Sequence, residues 1–160
     1  MSNFAFLQAE WPLLHESATK AESLVHTDAR AACFYARRTL ELAVAWLYKH
    51  DRGLRLPYQD KLSALIHEPS FARVVGEAVF TKTKVIQALG NQAVHSTRKV
   101  LQAEALVATR ELFHIGYWPA RPRTDLRGDT AGPACRRSSG RATADRGPVA
   151  AAASAARRAR

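Results

Sequence analysis

Two cysteines in 160 residues are too few for a disulfide framework. Cys33 lies in an apolar stretch and reads as a small core hydrophobe, whereas Cys135 lies in a polar one. No group of His, Cys, Asp or Glu has zinc-ligand spacing, so no metal is expected. The stretch GLRLPYQDK at 53–61 lacks the second glycine and the Lys-Ser/Thr ending of a phosphate loop. No serine is set in a nucleophile elbow. These absences leave no cofactor to expect and no complete catalytic site. No apolar run approaches the roughly 20 residues needed to span a bilayer. The opening MSNFAFLQAEWP has no basic region and already carries Glu10, which excludes a signal peptide. A soluble, cytoplasmic protein with no membrane partner is the expectation.

Sustained alternation of β-branched and aromatic residues is also missing, which excludes a sheet. What remains is helical. From Asp28 to His50, Cys33, Ala36, Leu40, Ala43, Val44 and Leu47 form one stripe at three- and four-residue spacing. Phe34, Tyr35, Leu42, Ala45, Trp46 and Tyr48 cover most of the remaining surface, broken only by Arg37, Arg38, Glu41 and Lys49. A helix apolar nearly all round belongs in a core. Asp28 is placed to accept bonds from the first free N–H groups, and Gly53 to take a left-handed turn after the end.

Residues 3–26 repeat apolar side chains at helical spacing, with a kink or fresh start expected at Pro12. His15 and His26 are expected in solvent, and Glu16 and Lys20 are spaced for a surface pair. Short helices are expected over 61–66 and 70–75. A long one is expected over 77–95, with Val79, Phe80, Val85, Ile86, Leu89 and Val94 apolar and Gly90 marking a tight contact or bend. The last, 100–118, would bury Leu101, Ala105, Leu106, Ala108, Leu112, Phe113, Ile115 and Tyr117. The fold class is all-α: a bundle of about four long helices and one or two short ones.

Charge divides the chain. Residues 1–118 hold 14 Lys+Arg against 11 Asp+Glu, and 119–160 hold 10 Arg against 3 Asp. The body gives little reason to expect nucleic acid, while the last 42 residues could bind polyanions non-specifically. Ala, Arg, Gly and Pro make up 30 of those 42 positions, too little apolar surface to offset the entropy of ordering. This segment reads as a disordered basic tail, with a transient helix in the Ala run at 150–156. Its GC-rich codons make a reading-frame slip near Trp118 the favoured origin.

The sharpest polar stretch is LGNQAVHS at 89–96. Asn91 and His95, four apart, share a helix face. They could orient a phosphate or supply a general acid, or His95 could simply cap the helix end. Arg37 and Arg38 could turn towards that face as an anion site, or pair with Glu41 three and four residues on. Lys82, Lys84, Arg98 and Lys99 would enlarge such a site, or form a solvated face. His67 and Glu68 are sequence neighbours and do not face each other on a helix. His114 reads as a surface or satisfied residue.

FAFLQAEWPLLHESATKAE at 4–22, RAACFYARRTLELAVAWLYKHD at 30–51, LRLPYQDKLSALIHEPSF at 54–71, LGNQAVHS at 89–96 and ELFHIGYW at 111–118 carry a resemblance. Residues 1–118 resemble the small helical domain of unknown function at the N-terminus of restriction-helicase proteins, similar to the R subunit of type I restriction systems. That likeness makes the chain look like a leading domain without its nuclease and helicase. The domain is in turn similar to the HEPN superfamily, whose ribonucleases carry an Arg, a polar residue and then a His. Asn91 and His95 match the last two, but the Arg would fall at Ala88, Leu89 or Gly90. The resemblance therefore implies a non-catalytic accessory module in DNA defence, serving docking, homodimerisation, contact with restriction-system subunits or weak nucleic-acid contact. The alternatives are a metal-independent HEPN-type ribonuclease or toxin using His95 with Arg37 or Arg38, and a nucleic-acid binder acting through the tail.

Overall fold

The computed structural model of the protein describes residues 2–120; the tail expected over 119–160 and its Ala run lie, beyond residue 120, outside the described residues. The described residues are all-helical, without a strand. A 3-10 turn, Ala5–Leu7, precedes six helices: α1 Pro12–Leu24, α2 Ala29–His50, α3 Leu62–His67, α4 Pro69–Val75, α5 Glu77–His95 and α6 Gln102–Ala120. Helix α2 is the common neighbour, packing against α1, α5, α6 and α3. Its whole predicted stripe, Cys33 to Leu47, is buried. Asp28 caps it, its carboxylate accepting the Ala31 N–H at 3.0 Å. The opposite flank is open, since Phe34 is 46 % exposed and Arg38 and Ala45 also face solvent. The bundle thus covers α2 on most sides but not all.

Helix starts follow local chemistry. Pro12 opens α1 and Pro69 opens α4, positions where the missing N–H costs nothing. The Glu68 carboxylate accepts the Ser70 N–H at 2.7 Å and caps α4. At α6, Glu104 accepts the Leu101 N–H at 2.8 Å, the return half of a capping box. That bond holds the Glu104 carboxyl below its ordinary range against the opposing effect of burial, helped by Arg98 at 2.5 Å. The left-handed turn falls at Gly76, φ 80°, between α4 and α5, and not at Gly53. After α2 the chain turns on Asp51, whose carboxylate accepts the Gly53 N–H at 2.8 Å.

Several apolar assignments on the outer helices need correction. On α5 the residues buried are Thr83, Ile86, Gln87, Gly90 and Ala93, while Val94 is exposed. Small side chains let α5 sit close on α2. On α6, Ala105, Ala108, Glu111, Leu112 and Ile115 are buried, but Leu101, Leu106, Phe113 and Tyr117 are exposed. Phe6 lies edge-on to Phe113 and Tyr117, with ring centroids 5.8 Å apart in each case. The helix begins two residues later than expected and runs through Pro119 to Ala120. His26 is exposed as expected, but His15 is half-buried, and Glu16 and Lys20 form no ion pair. No helix among the described residues is long and apolar enough to cross a membrane.

Candidate functional site

A groove of about 640 Å³ lies between α2 and α5 and is lined also by α3 and the chain entering it. Helix α2 contributes Arg37, Arg38 and Glu41, and α5 contributes Gln87, Asn91 and His95. The four-residue spacing of the α5 set places all three side chains on one face. Asp60, Lys61 and Ser63 line it as well. The structure therefore brings the predicted arginines and the Asn91–His95 pair to one site.

Glu41 organises the charge. Its Oε1 lies 3.2 Å from Arg37 Nε and its Oε2 lies 3.7 Å from Arg38 Nη1. The Arg37 Nε contact is an ion pair without hydrogen-bond geometry, so that buried N–H makes no hydrogen bond. One carboxylate thus faces both guanidinium groups. Counting Lys61 and Asp60, three permanent cations and two carboxylates line the groove. It is amphoteric, with little net charge.

The remaining predicted cations lie elsewhere. Lys82 is bonded to Glu111 of α6 at 2.5 Å and lies 3.2 Å from His114 Nδ1. Lys84 shares the face of Asn91 and His95 but sits about 10 Å below the first and about 16 Å below the second along the axis, its ammonium 5.0 Å from the centroid of the Phe80 ring. Arg98 pairs with Glu104 at 2.5 Å, and Lys99 is exposed beyond the end of α5. None of the four lines the groove. They knit α5 to α6 or face water.

Sequence reasoning missed four participants. Gln87 is 9 % exposed, lines the groove, and its carboxamide has no protein partner among the described residues. Its place one turn before Asn91 was the available signal. Asp60 and Lys61 come from a connection with no periodicity to read. Arg30 acts at one remove: it donates to the carbonyls of Ala93 at 2.6 Å, Ser96 at 2.8 Å and Arg98 at 2.6 Å. This fork ties down the C-terminal turn of α5, which carries His95.

The arrangement can pair with a ligand that both donates and accepts hydrogen bonds and carries modest negative charge. It is poorly built for phosphoryl chemistry, because each arginine beside His95 already faces a carboxylate. Among the described residues no cluster of three or more His, Cys, Asp or Glu could hold a metal ion.

Residues 19–115 match the family described as a domain of unknown function, DUF4145, a span that takes in α2 to α5, the end of α1 and most of α6. No curated protein and no solved structure matches the chain.

Proposed function

We propose that this chain, which belongs to the DUF4145 family, is a non-catalytic accessory module that docks on a partner protein in a restriction-type DNA-defence assembly. The observation that carries the reading is the position of Glu41 between Arg37 and Arg38. A track for a polyanion needs cations left open to phosphates, and a ribonuclease needs one aimed at the charge that develops on phosphorus. Here Glu41 lies against Arg37 and offsets the charge of Arg38, which leaves one exposed guanidinium in a groove that also holds two carboxylates, too little for a run of phosphates. The resemblance to the leading domain of type I restriction R subunits supplies the setting.

A second reading is a HEPN-type ribonuclease. Arg37, Asn91 and His95 lining one groove favours it. With Glu41 swung aside, the ribose 2′-oxygen would attack phosphorus and give its proton to water, Arg37 would stabilise the phosphorane, and His95 would protonate the 5′-oxygen as its bond to phosphorus breaks.

The test is incubation of the full chain with labelled RNA and DNA, scoring cleavage and retention for wild type, His95→Ala and Arg38→Ala. Docking expects no cleavage and no retention that depends on Arg38. Cleavage by wild type and not by His95→Ala would overturn it in favour of the ribonuclease. Retention lost in Arg38→Ala would make the groove a nucleic-acid site.

A further inference from the structure

The α5 side of the α2–α5 groove carries two carboxamides one helical turn apart, Gln87, which is buried, and Asn91, which is exposed. Gln87 is nine-tenths buried, and neither side chain has a protein partner among the described residues. A carboxamide sets a donor beside an acceptor; so does a residue of an extended chain, whose own N–H and C=O point to the same side. Four residues of α-helix rise about 6 Å. In an extended chain, residues facing the same side recur every two positions, about 6.6 Å. The two side chains are therefore spaced to pair with successive same-side residues of an extended segment lying along α5.

Charge decides which extended polymer fits. Arg38, with more than half of its side chain exposed, stands on the α2 wall, and Lys61 lines the groove from the chain entering α3. Glu41 and Asp60 line the same space. A nucleic-acid strand carries a phosphate at every nucleotide and would meet both carboxylates. A peptide carries charge only where its side chains do, and successive side chains point to opposite sides of the direction in which its main chain pairs, so one alternate set can face the α2 wall. We infer that the groove takes an extended acidic segment of a partner protein, its main chain paired with Gln87 and Asn91 and its acidic side chains facing Arg38 and Lys61. This inference rests on the docking reading and names its ligand.

The experiment is a titration of the ¹⁵N-labelled full chain followed at the side-chain NH₂ signals of Gln87 and Asn91, assigned by Gln87→Leu and Asn91→Leu. The probes are the blocked peptide Ac-Glu-Val-Glu-Val-Glu-NH₂ and a hexa-adenylate, each to millimolar concentration. The peptide is expected to move both NH₂ pairs saturably. Arg38→Glu, a surface change that leaves the core intact, is expected to weaken that binding about tenfold, as charge reversal at a contact does. Silence at both NH₂ pairs with the peptide would overturn the inference, as would tighter movement with hexa-adenylate. The docking reading fails separately, on cleavage or Arg38-dependent retention of nucleic acid. Silence towards both probes, with nucleic acid neither cut nor retained, removes the peptide ligand and leaves docking standing.

Discussion

The α-carbon of Gly90 in α5 rests against the aliphatic stem of Arg37 in α2: a methyl group at Gly90 would come within 2.8 Å of Arg37 Cδ, and closer still to Cβ. The contact brings α5 onto α2 and so sets the width of the groove between them. In an exposed helix, Gly→Ala stabilises by roughly 1 kcal/mol. Here the helix preference loses to overlap with Arg37 Cβ, an atom that cannot swing away. Gly90→Ala is expected to destabilise the fold by about 1–3 kcal/mol, the usual range for overpacking. Arg37→Ala leaves that Cβ in place and should not rescue it. Urea unfolding of the single and double variants checks this, and a Gly90→Ala protein as stable as wild type would refute the contact.

Arg30 is expected to matter more than its surface position suggests. Its guanidinium satisfies three carbonyls at and beyond the end of α5, where the helix dipole also favours a cation. Hydrogen bonds to charged groups contribute about 1.5–3 kcal/mol each at most, and these carbonyls can recover part of that from water. Arg30→Ala should cost about 2 kcal/mol, and Arg30→Lys should restore only part, because a single ammonium cannot span the fork. Faster amide exchange at Ser96, whose N–H bonds to Gln92 at 3.1 Å, would mark the fraying. Unchanged exchange there would show the fork to be idle.

Much of this was legible in the sequence, and the exceptions have physical causes. The buried stripe of α2, the Asp28 cap and the Pro12 start were read from periodicity and capping chemistry, which act within one helix. The buried faces of α5 and α6 are legible only in part. Ile86, Ala105, Ala108, Leu112 and Ile115 are buried and Gly90 makes a tight contact, as the sequence leads one to expect, but close packing also takes Thr83, Gln87 and Ala93 and leaves Val94, Leu106 and Phe113 outside. The groove was half legible: Asn91 and His95 share a face by spacing, but only tertiary packing sets Arg37 opposite them. Lys82 shows the converse, a cation near in sequence that packing carries to Glu111 instead. Nothing local could reveal that Arg30 reaches 63 to 68 residues along the chain.

Cys33 should be chemically silent in the folded protein. Burial, and then the charge of Glu104, push its thiol up to about 11, and reaction needs the thiolate. In a Cys135→Ser background, where Cys33 is the sole thiol, a disulfide reagent at pH 7.5 should release no colour until denaturant is added. Rapid reaction under native conditions would mean that α2 is not packed as described.

Glu41→Gln tests the charge argument for function. The change keeps the side chain's shape and removes the carboxylate that faces Arg37 and Arg38. The groove then has three cations against Asp60 alone, and oligonucleotide retention should rise and become more salt-sensitive than that of wild type. Filter binding at two salt concentrations compares the two proteins on the same chain, tail included. Equal retention would show that Glu41 does not neutralise the groove.

The stability of the α5–α6 contact should depend on pH through Glu111. Burial pushes its carboxyl up, but bonds from Lys82 at 2.5 Å, His114 at 3.4 Å and Arg110 at 3.1 Å outweigh burial and hold it below its ordinary value of about 4.5. With the folded value lower than the unfolded one, the unfolded chain binds more protons in the interval between them, so stability rises with pH across it. The contribution is complete above about pH 4.5 and is lost as pH falls through the folded value. Glu111→Gln removes the charge while leaving Lys82 beside a neutral amide, and so should be less stable than wild type at pH 7. The difference should shrink on acidification, as wild type takes up the proton that the variant has no group to bind. Denaturation of both proteins between about pH 3 and pH 7 reads the effect directly. A difference constant across that range would mean that the carboxylate in α6 is not held by its cations, and that α5 and α6 are joined by apolar packing alone.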